Sequence, residues 1–292
     1  MKRIDALALG GGGILGVAWM TAVLAGLEDA AGFDGRSCAH YVGTSAGSIV
    51  ATYLSAGETA RSRLGNLPEQ PAEGAHAGGP GAIPLALEVV GAAAAPLAAT
   101  ALSLTASGGA VVRRLALARV TPGRRSLRGL GRAIDRSGAR FDGRLIVNAV
   151  ELESGRRVAF GAPGAPPATV ARAVEASCAI PGYFQPVVIG ERTYVDGGAW
   201  SPTNMDVLPV ARGAHVLCLN PTGSLMMVGA VSRSIAGVEA LALRRRGVTV
   251  TTVAPDGDAS ARIGRNLMDP SRRDATIEAG FAQGVALARS GF

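Results

Sequence analysis

The chain has 292 residues, enough for one large domain with a full core. Hydrophobic residues make up 48% and charged ones 17%, which excludes a disordered chain; with 4% aromatics, the core must come largely from Ala, Val, Leu and Ile. The three scattered cysteines, Cys38, Cys178 and Cys218, argue against a disulfide framework or a zinc site and fit a reducing, cytoplasmic setting. The formal net charge of +7 is concentrated, because ten arginines and only two acids, Asp135 and Asp142, lie between Arg113 and Arg144.

A strand is predicted over 4–9, followed by the glycine run Gly10–Gly13 and an apolar helix over 14–30. Met1-Lys2-Arg3 before an apolar stretch superficially matches a signal peptide, but Asp5 and four consecutive glycines interrupt it, so strand and loop are the better account. The helix is apolar nearly all round, which predicts burial. A short strand over 39–42 runs into Gly43-Thr44-Ser45-Ala46-Gly47 and a helix that stops at Gly57. Residues 67–84 read as a loop, and 89–112 are uncharged and rich in Ala, Leu and Thr. Thr121-Pro122 predicts a helix start, with the helix running to Gly138. Strands over 145–150 and 156–161 form a hairpin across Glu153-Ser154-Gly155. A helix over 168–177, strands over 187–189, 193–195, 214–219 and 248–253, and helices near 232–246 and 274–289 complete the pattern. This alternation predicts an α/β protein with a mostly parallel sheet.

Gly43-Thr44-Ser45-Ala46-Gly47 fits G-x-S-x-G, the nucleophile elbow, in which a strand ends, the chain turns sharply and a helix begins with the serine at the apex. Ser45 would hold a strained backbone, while Gly43 and Gly47 let strand and helix approach closely. Gly11-x-Gly13-x-x-Gly16, after a strand and before a helix, is formally the dinucleotide fingerprint. Asp34 stands near the position where a ribose-binding acid would be wanted, yet the strand beyond it leads into the serine elbow instead. The same amides can serve a developing carbonyl oxyanion.

An elbow serine needs a base. His40 and His215 fall in predicted strands and His76 in a Pro/Gly/Ala-rich segment, so a structural or solvent role suits each. Asp196, in Val195-Asp196-Gly197-Gly198, ends a strand and is the better candidate, although on its own the motif also reads as a turn. An aspartate with a pKa of about 3.9 is a poor base for serine; it would need a dry site and a direct hydrogen bond to Ser45.

Taken in order, Gly10–Gly16, Gly43–Gly47, the run from Ala176 to Pro186 (ASCAIPGYFQP) and Asp196-Gly197-Gly198 resemble the patatin-like phospholipase family of serine lipid acyl hydrolases. The resemblance covers about 1–60 and 140–292. It implies a three-layer α/β/α sandwich with a mostly parallel central sheet, a single domain with a lid-like insertion at about 61–140, and hydrolysis of lipid acyl esters without metal or cofactor. It further implies a Ser–Asp dyad of Ser45 and Asp196, with the oxyanion hole in the loop of Gly11, Gly12 and Gly13. The family's loop usually carries Arg or Lys just before its last glycine, where this chain has Leu15. That departure keeps a second function open, a catalytically silent lipid-binding or scaffold protein of the same fold.

The uncharged stretch followed directly by the arginine-rich one predicts peripheral contact with an anionic membrane through 89–144. The rival reading is a buried helical pair with a solvated basic face. Ala, Gly, Ser and Pro dominate the apolar stretch, against a transmembrane span. Only Phe141 among the arginines could stack on a base, so no nucleic acid is expected.

Overall fold

The computed structural model describes residues 3–66, 109–225 and 228–291. Its sheet contains β1 (Ala6–Leu9), β2 (His40–Thr44), β3 (Leu145–Glu151), β4 (Arg157–Phe160), β5 (Val187–Ile189), β6 (Arg192–Asp196), β7 (His215–Leu219) and β8 (Thr249–Val253). Strands β3, β2, β1, β7 and β8 run parallel in that spatial order, while β4 and β6 are antiparallel to β3 and β5 is antiparallel to β6. The described helices are α1 (Gly13–Ala31), α2 (Ala46–Ser55), α3 (Ala60–Arg63), α4 (Gly109–Leu117), α5 (Arg128–Arg136), α6 (Val170–Ser177), α7 (Gly229–Arg245), α8 (Gly257–Ile263) and α9 (Arg273–Arg289).

Alternation along β1 divides the interior in two. Leu7 and Leu9 face a core shared with α1, α2, α6 and α9, which includes Trp19, Val50, Val174 and Ala279. Ala6 and Ala8 face a second core in which Val42, Ile146, Val216 and Cys218 meet Ala236, Ala240 and Leu243 of α7. Helices cover both faces of the sheet, as the apolar parallel strands require. The fold is the expected α/β/α sandwich.

α1 is long and apolar enough to cross a membrane. Here it is a core helix, buried at every residue from Leu15 to Leu27. Its closest partner is α9, and glycines let the two backbones meet: a Cβ at Gly26 would lie 2.4 Å from the Phe281 carbonyl, and one at Gly284 would lie 2.2 Å from that of Val23. The Trp19 indole N–H donates to Gln283 Oε1 at 2.8 Å across the same contact.

The placement of β6 matters most for function. β4 occupies one edge of β3 over residues 147–150, with Val147 opposite Phe160 and Val150 opposite Arg157. A strand has two edges, so β2 and β6 must share the other. β2 takes its first part, ending with Thr44 opposite Asn148, and β6 takes the remainder, with Asp196 opposite Ala149. The two strands run toward each other, so their C-terminal ends meet on adjacent residues of β3.

The expected elements lie within a few residues of those observed, with one clear difference. The helix expected from Thr121-Pro122 begins only at Arg128. Residues before it run instead along the turn after α6, where Gln185 N–H donates to the Arg125 carbonyl at 2.9 Å and Arg125 stacks on Tyr183. Tertiary pairing overrides a good local helix start. Much of the expected insertion, including the loop over 67–84 and most of the uncharged stretch, lies outside the described residues.

Replacing Gly284 by Ala should force α1 and α9 apart. A loss of about 1–3 kcal/mol is expected in urea denaturation, with the fold retained.

Candidate active site

Ser45 stands between β2 and α2 with φ 50° and ψ −119°, a left-handed backbone that side chains rarely adopt. The flanking glycines make that strain tolerable. A Cβ at Gly43 would sit 2.4 Å from Ser48 Cα, and one at Gly47 would sit 1.8 Å from the Leu9 carbonyl oxygen, so α2 packs hard against the end of β1 only because both side chains are missing. The Ser48 hydroxyl and N–H both donate to the Ser45 carbonyl, at 2.6 and 2.9 Å, and close the turn.

Asp196 arrives from the opposite direction at the end of β6 and is buried. Its carboxyl interacts directly with the Ser45 side chain and accepts the Gly198 N–H at 2.7 Å. Burial pushes its pKa from an ordinary 3.8 up to about 7, with the contacts to Ser45 and Gly198 pulling the other way. Of the two conditions expected of an aspartate base, the dry site is present; the hydrogen bond described for its carboxyl is the one from Gly198.

The C-terminal end of α6 and the turn after it tie down both groups. Ser177 Oγ accepts the Ser45 N–H at 2.9 Å, and the Ala179 carbonyl accepts the Asp196 N–H at 2.9 Å. Between them Cys178 is buried, and that burial pushes its thiol well above the usual range. It therefore stays protonated beside Ser45 and offers no competing thiolate.

The glycine loop lies against the elbow, since a Cβ at Gly11 would touch Ser45 Cβ at 3.6 Å. Its three candidate amides are not equivalent. The Gly11 N–H already donates to the Pro202 carbonyl at 2.9 Å, whereas no described acceptor meets the N–H of Gly12 or Gly13. The Gly11 amide is thus committed to holding the loop, and the amides of Gly12 and Gly13 are the ones left without a described acceptor.

His40 and His215 are the first residues of β2 and β7, at the opposite end of the parallel strands from the elbow. At about 3.3 Å per residue His40 is roughly 16 Å from Ser45 along β2. His215 Nε2 pairs with Thr251 Oγ1 at 2.8 Å, and His76 lies outside the described residues.

Segment 201–205 joins all these parts, and nothing in the sequence marked it. Asn204, fully buried with φ 49°, donates from Nδ2 to Thr44 Oγ1 at 3.0 Å, to the Ser201 carbonyl at 2.7 Å and to the Gly197 carbonyl at 3.4 Å. It thus bridges the neighbours of Ser45 and of Asp196. Its own Oδ1 accepts from Arg157, which is bound bidentately to Asp206 at 2.6 and 2.8 Å. Glu239 of α7 accepts the Thr203 hydroxyl at 2.5 Å and the Met205 N–H at 3.0 Å, holding the segment from below. Burial, with the nearby Asp206 adding to it, pushes Glu239 up to about 7.

A model of the patatin-like phospholipase family matches residues 7–209. The chain belongs to this family. The match contains β1 from Leu7 onward, the glycine loop, the elbow, Asp196 and Asn204. Solved structures similar to the chain include VipD from Legionella pneumophila, at 14% identity and TM-score 0.45 over 99% of this chain and 67% of that one. They also include the type III effector ExoU, at 16% identity and TM-score 0.43 over 99% of this chain and 53% of that one. A third is the ExoU–SpcU heterodimer of the type III secretion system of Pseudomonas aeruginosa, at 18% identity and TM-score 0.43 over 98% of this chain and 51% of that one. The chain therefore spans about half the length of ExoU. No curated protein sequence matches it.

Within the family, Leu15 is this chain's departure. Its side chain is wholly buried in the core, and its N–H donates to the Leu267 carbonyl at 3.1 Å. The basic residue usual at this place is replaced by a packing residue, and the Gly12 and Gly13 amides are left as they were.

Asn204→Gly keeps the left-handed backbone while removing the bridge between the two strand ends. A stability loss of about 1–3 kcal/mol is expected by denaturant titration, together with a fall in ester turnover larger than that at Thr222→Ala, a buried hydroxyl elsewhere.

Proposed function

We propose that this chain hydrolyses acyl ester bonds of lipids through a dyad of Ser45 and Asp196, with the Gly12 and Gly13 amides as oxyanion donors. One observation carries the reading: β2 and β6 end on adjacent residues of β3, which sets the buried Asp196 beside the elbow serine, where burial raises its pKa to about 7. A general base works best when its pKa is close to the working pH, because it is then both ionised and basic. An aspartate at 3.8 would hold the serine proton too weakly. Membership of a phospholipase family supports lipid as the substrate class.

In the forward step the Asp196 carboxylate takes the Ser45 hydroxyl proton as Oγ attacks the acyl carbonyl. The tetrahedral oxyanion is held by the loop amides and the N-terminal end of α1. Its collapse breaks the ester C–O bond, and Asp196 returns the proton to the departing alcohol. Water then gives a proton to Asp196, attacks the acyl-serine and releases the fatty acid, with the proton passing back to Ser45. The positive φ of Ser45 keeps Oγ projecting from the turn throughout.

Asp196 has a consequence for stability whose sign is fixed. Its folded pKa of about 7 exceeds the unfolded 3.8, so the protonated carboxyl favours folding fully below pH 4 and that contribution is lost as the pH rises through 7. The difference is of order 4 kcal/mol at most. Asp196→Asn removes the buried charge but not the hydrogen-bond acceptor. At pH 8 this variant should melt at a higher temperature than the wild type while losing ester turnover by about 100-fold or more. A variant that melts lower at pH 8, or turns over normally, would count against the assignment. Ser45→Ala should keep the fold by circular dichroism and abolish release of a chromogenic acyl ester, and retained turnover would refute the mechanism.

A further inference from the structure

α4 lies on the strand that carries Asp196. Leu117 packs with Val150, Val195 and Ala199. Arg113 is wholly buried; its Nε donates to the Ala199 carbonyl and its Nη1 to the Gly155 carbonyl, both at 2.9 Å, and its guanidinium stacks 4.2 Å from the Trp200 ring centroid. A Cβ at Gly155 would meet the Ala110 carbonyl at 2.3 Å, so the hairpin between β3 and β4 sits tightly under the helix. The inner side of α4 is thus packed against the sheet.

The outer side is not. At about 100° per residue, Val111, Val112 and Leu115 point away from Arg113 and Leu117. They are 63%, 44% and 47% exposed. Single exposed aliphatic residues are ordinary, but three within two turns of one helix form a patch. Along the chain the charge next to the patch has one sign: between 109 and 134 there are arginines and no acid, while the acids Glu151 and Glu153 belong to the hairpin under the helix. Arg114, Arg119 and Arg124 are exposed, and among the described residues none has a carboxylate partner. Aliphatic side chains framed by unpaired arginines suit an anionic lipid interface, where the chains enter the acyl boundary and the guanidiniums meet phosphates. A single-stranded nucleic acid would want aromatic faces among the cations, and α4 has none.

We propose that the outer face of α4, with Val111, Val112 and Leu115 framed by Arg114, Arg119 and Arg124, is the surface that seats this protein on an anionic lipid interface. The inference takes its purpose from the lipid-ester reading and narrows the expected contact over 89–144 to one helix. A helix is about 10 Å across, so a lipid surface on this face lies one helix diameter from the strand bearing Asp196. Arg113 ties the surface to Ala199, in the turn that follows Asp196.

Co-sedimentation with vesicles tests this directly. Wild-type protein should bind vesicles of phosphatidylcholine mixed with phosphatidylglycerol and bind pure phosphatidylcholine more weakly. The double variant Val111→Asp/Leu115→Asp should lose about tenfold or more of that binding, yet cleave a water-soluble short-chain ester at the wild-type rate. Replacing Arg114, Arg119 and Arg124 by Gln should remove the preference for the anionic vesicles. Wild-type binding that neither variant weakens, or no binding at all, would overturn the proposal. Failure of the hydrolase reading is separately visible: wild-type protein would then bind vesicles through α4 but cleave no ester.

Discussion

The site depends on two strand ends meeting on one edge of β3. Because β4 takes the other edge, β2 and β6 are forced into line, and the residues that end them, Thr44 and Asp196, come to rest opposite Asn148 and Ala149. Ser45 and Asp196 are brought together by ladder register before any side chain chooses a partner. The ladder also removes the carboxyl from water, since the meeting point is covered by α6 and by the 201–205 segment. Burial then converts an ordinary acid into a group that can hold a proton near neutrality. Position and basicity have one structural cause.

Holding such a site together requires close backbone approach and hydrogen bonds that cross between segments. Gly47 against Leu9 and Gly197 against Asn148 leave no room for a Cβ, with contacts of 1.8 and 2.3 Å for the side chain each lacks. Asn204 binds the neighbours of both dyad members through one amide, and Glu239 supports the segment that carries it. The Gly11 amide is engaged by Pro202 in the same segment, which fixes the loop against it. The polar groups of the 201–205 segment thus link the glycine loop and both strand ends through connected hydrogen bonds.

Much of this was legible in the sequence, for reasons that differ between residues. Gly43–Gly47 and Gly10–Gly13 could be read because their backbone demands restrict residue type within a few positions. Asp196 could be singled out at a strand end, although its glycines alone read equally as a turn and the role proposed for it came from the resemblance. Asn204, Pro202 and Glu239 could not be read. They act through single hydrogen bonds between segments distant in the chain, and no local spacing encodes such a contact. The false helix start at Thr121-Pro122 has the same origin, because residues 123–126 answer to the turn at Tyr183–Gln185 rather than to their own propensity. The wholly buried Arg113 shows the opposite limit: a run of arginines read as a basic surface contains one that is part of the interior.

The central claim is that the Asp196 carboxylate activates Ser45. Measuring the rate of Ser45 labelling by a fluorophosphonate as a function of pH tests it most directly, because labelling needs the activated hydroxyl but no particular lipid. The rate should rise through a pKa near 7 and level off above it, as the buried carboxyl ionises. In Asp196→Asn the rate should fall by about 100-fold or more and lose that inflection. Labelling that proceeds equally fast in the variant, or with the same inflection, would contradict the account.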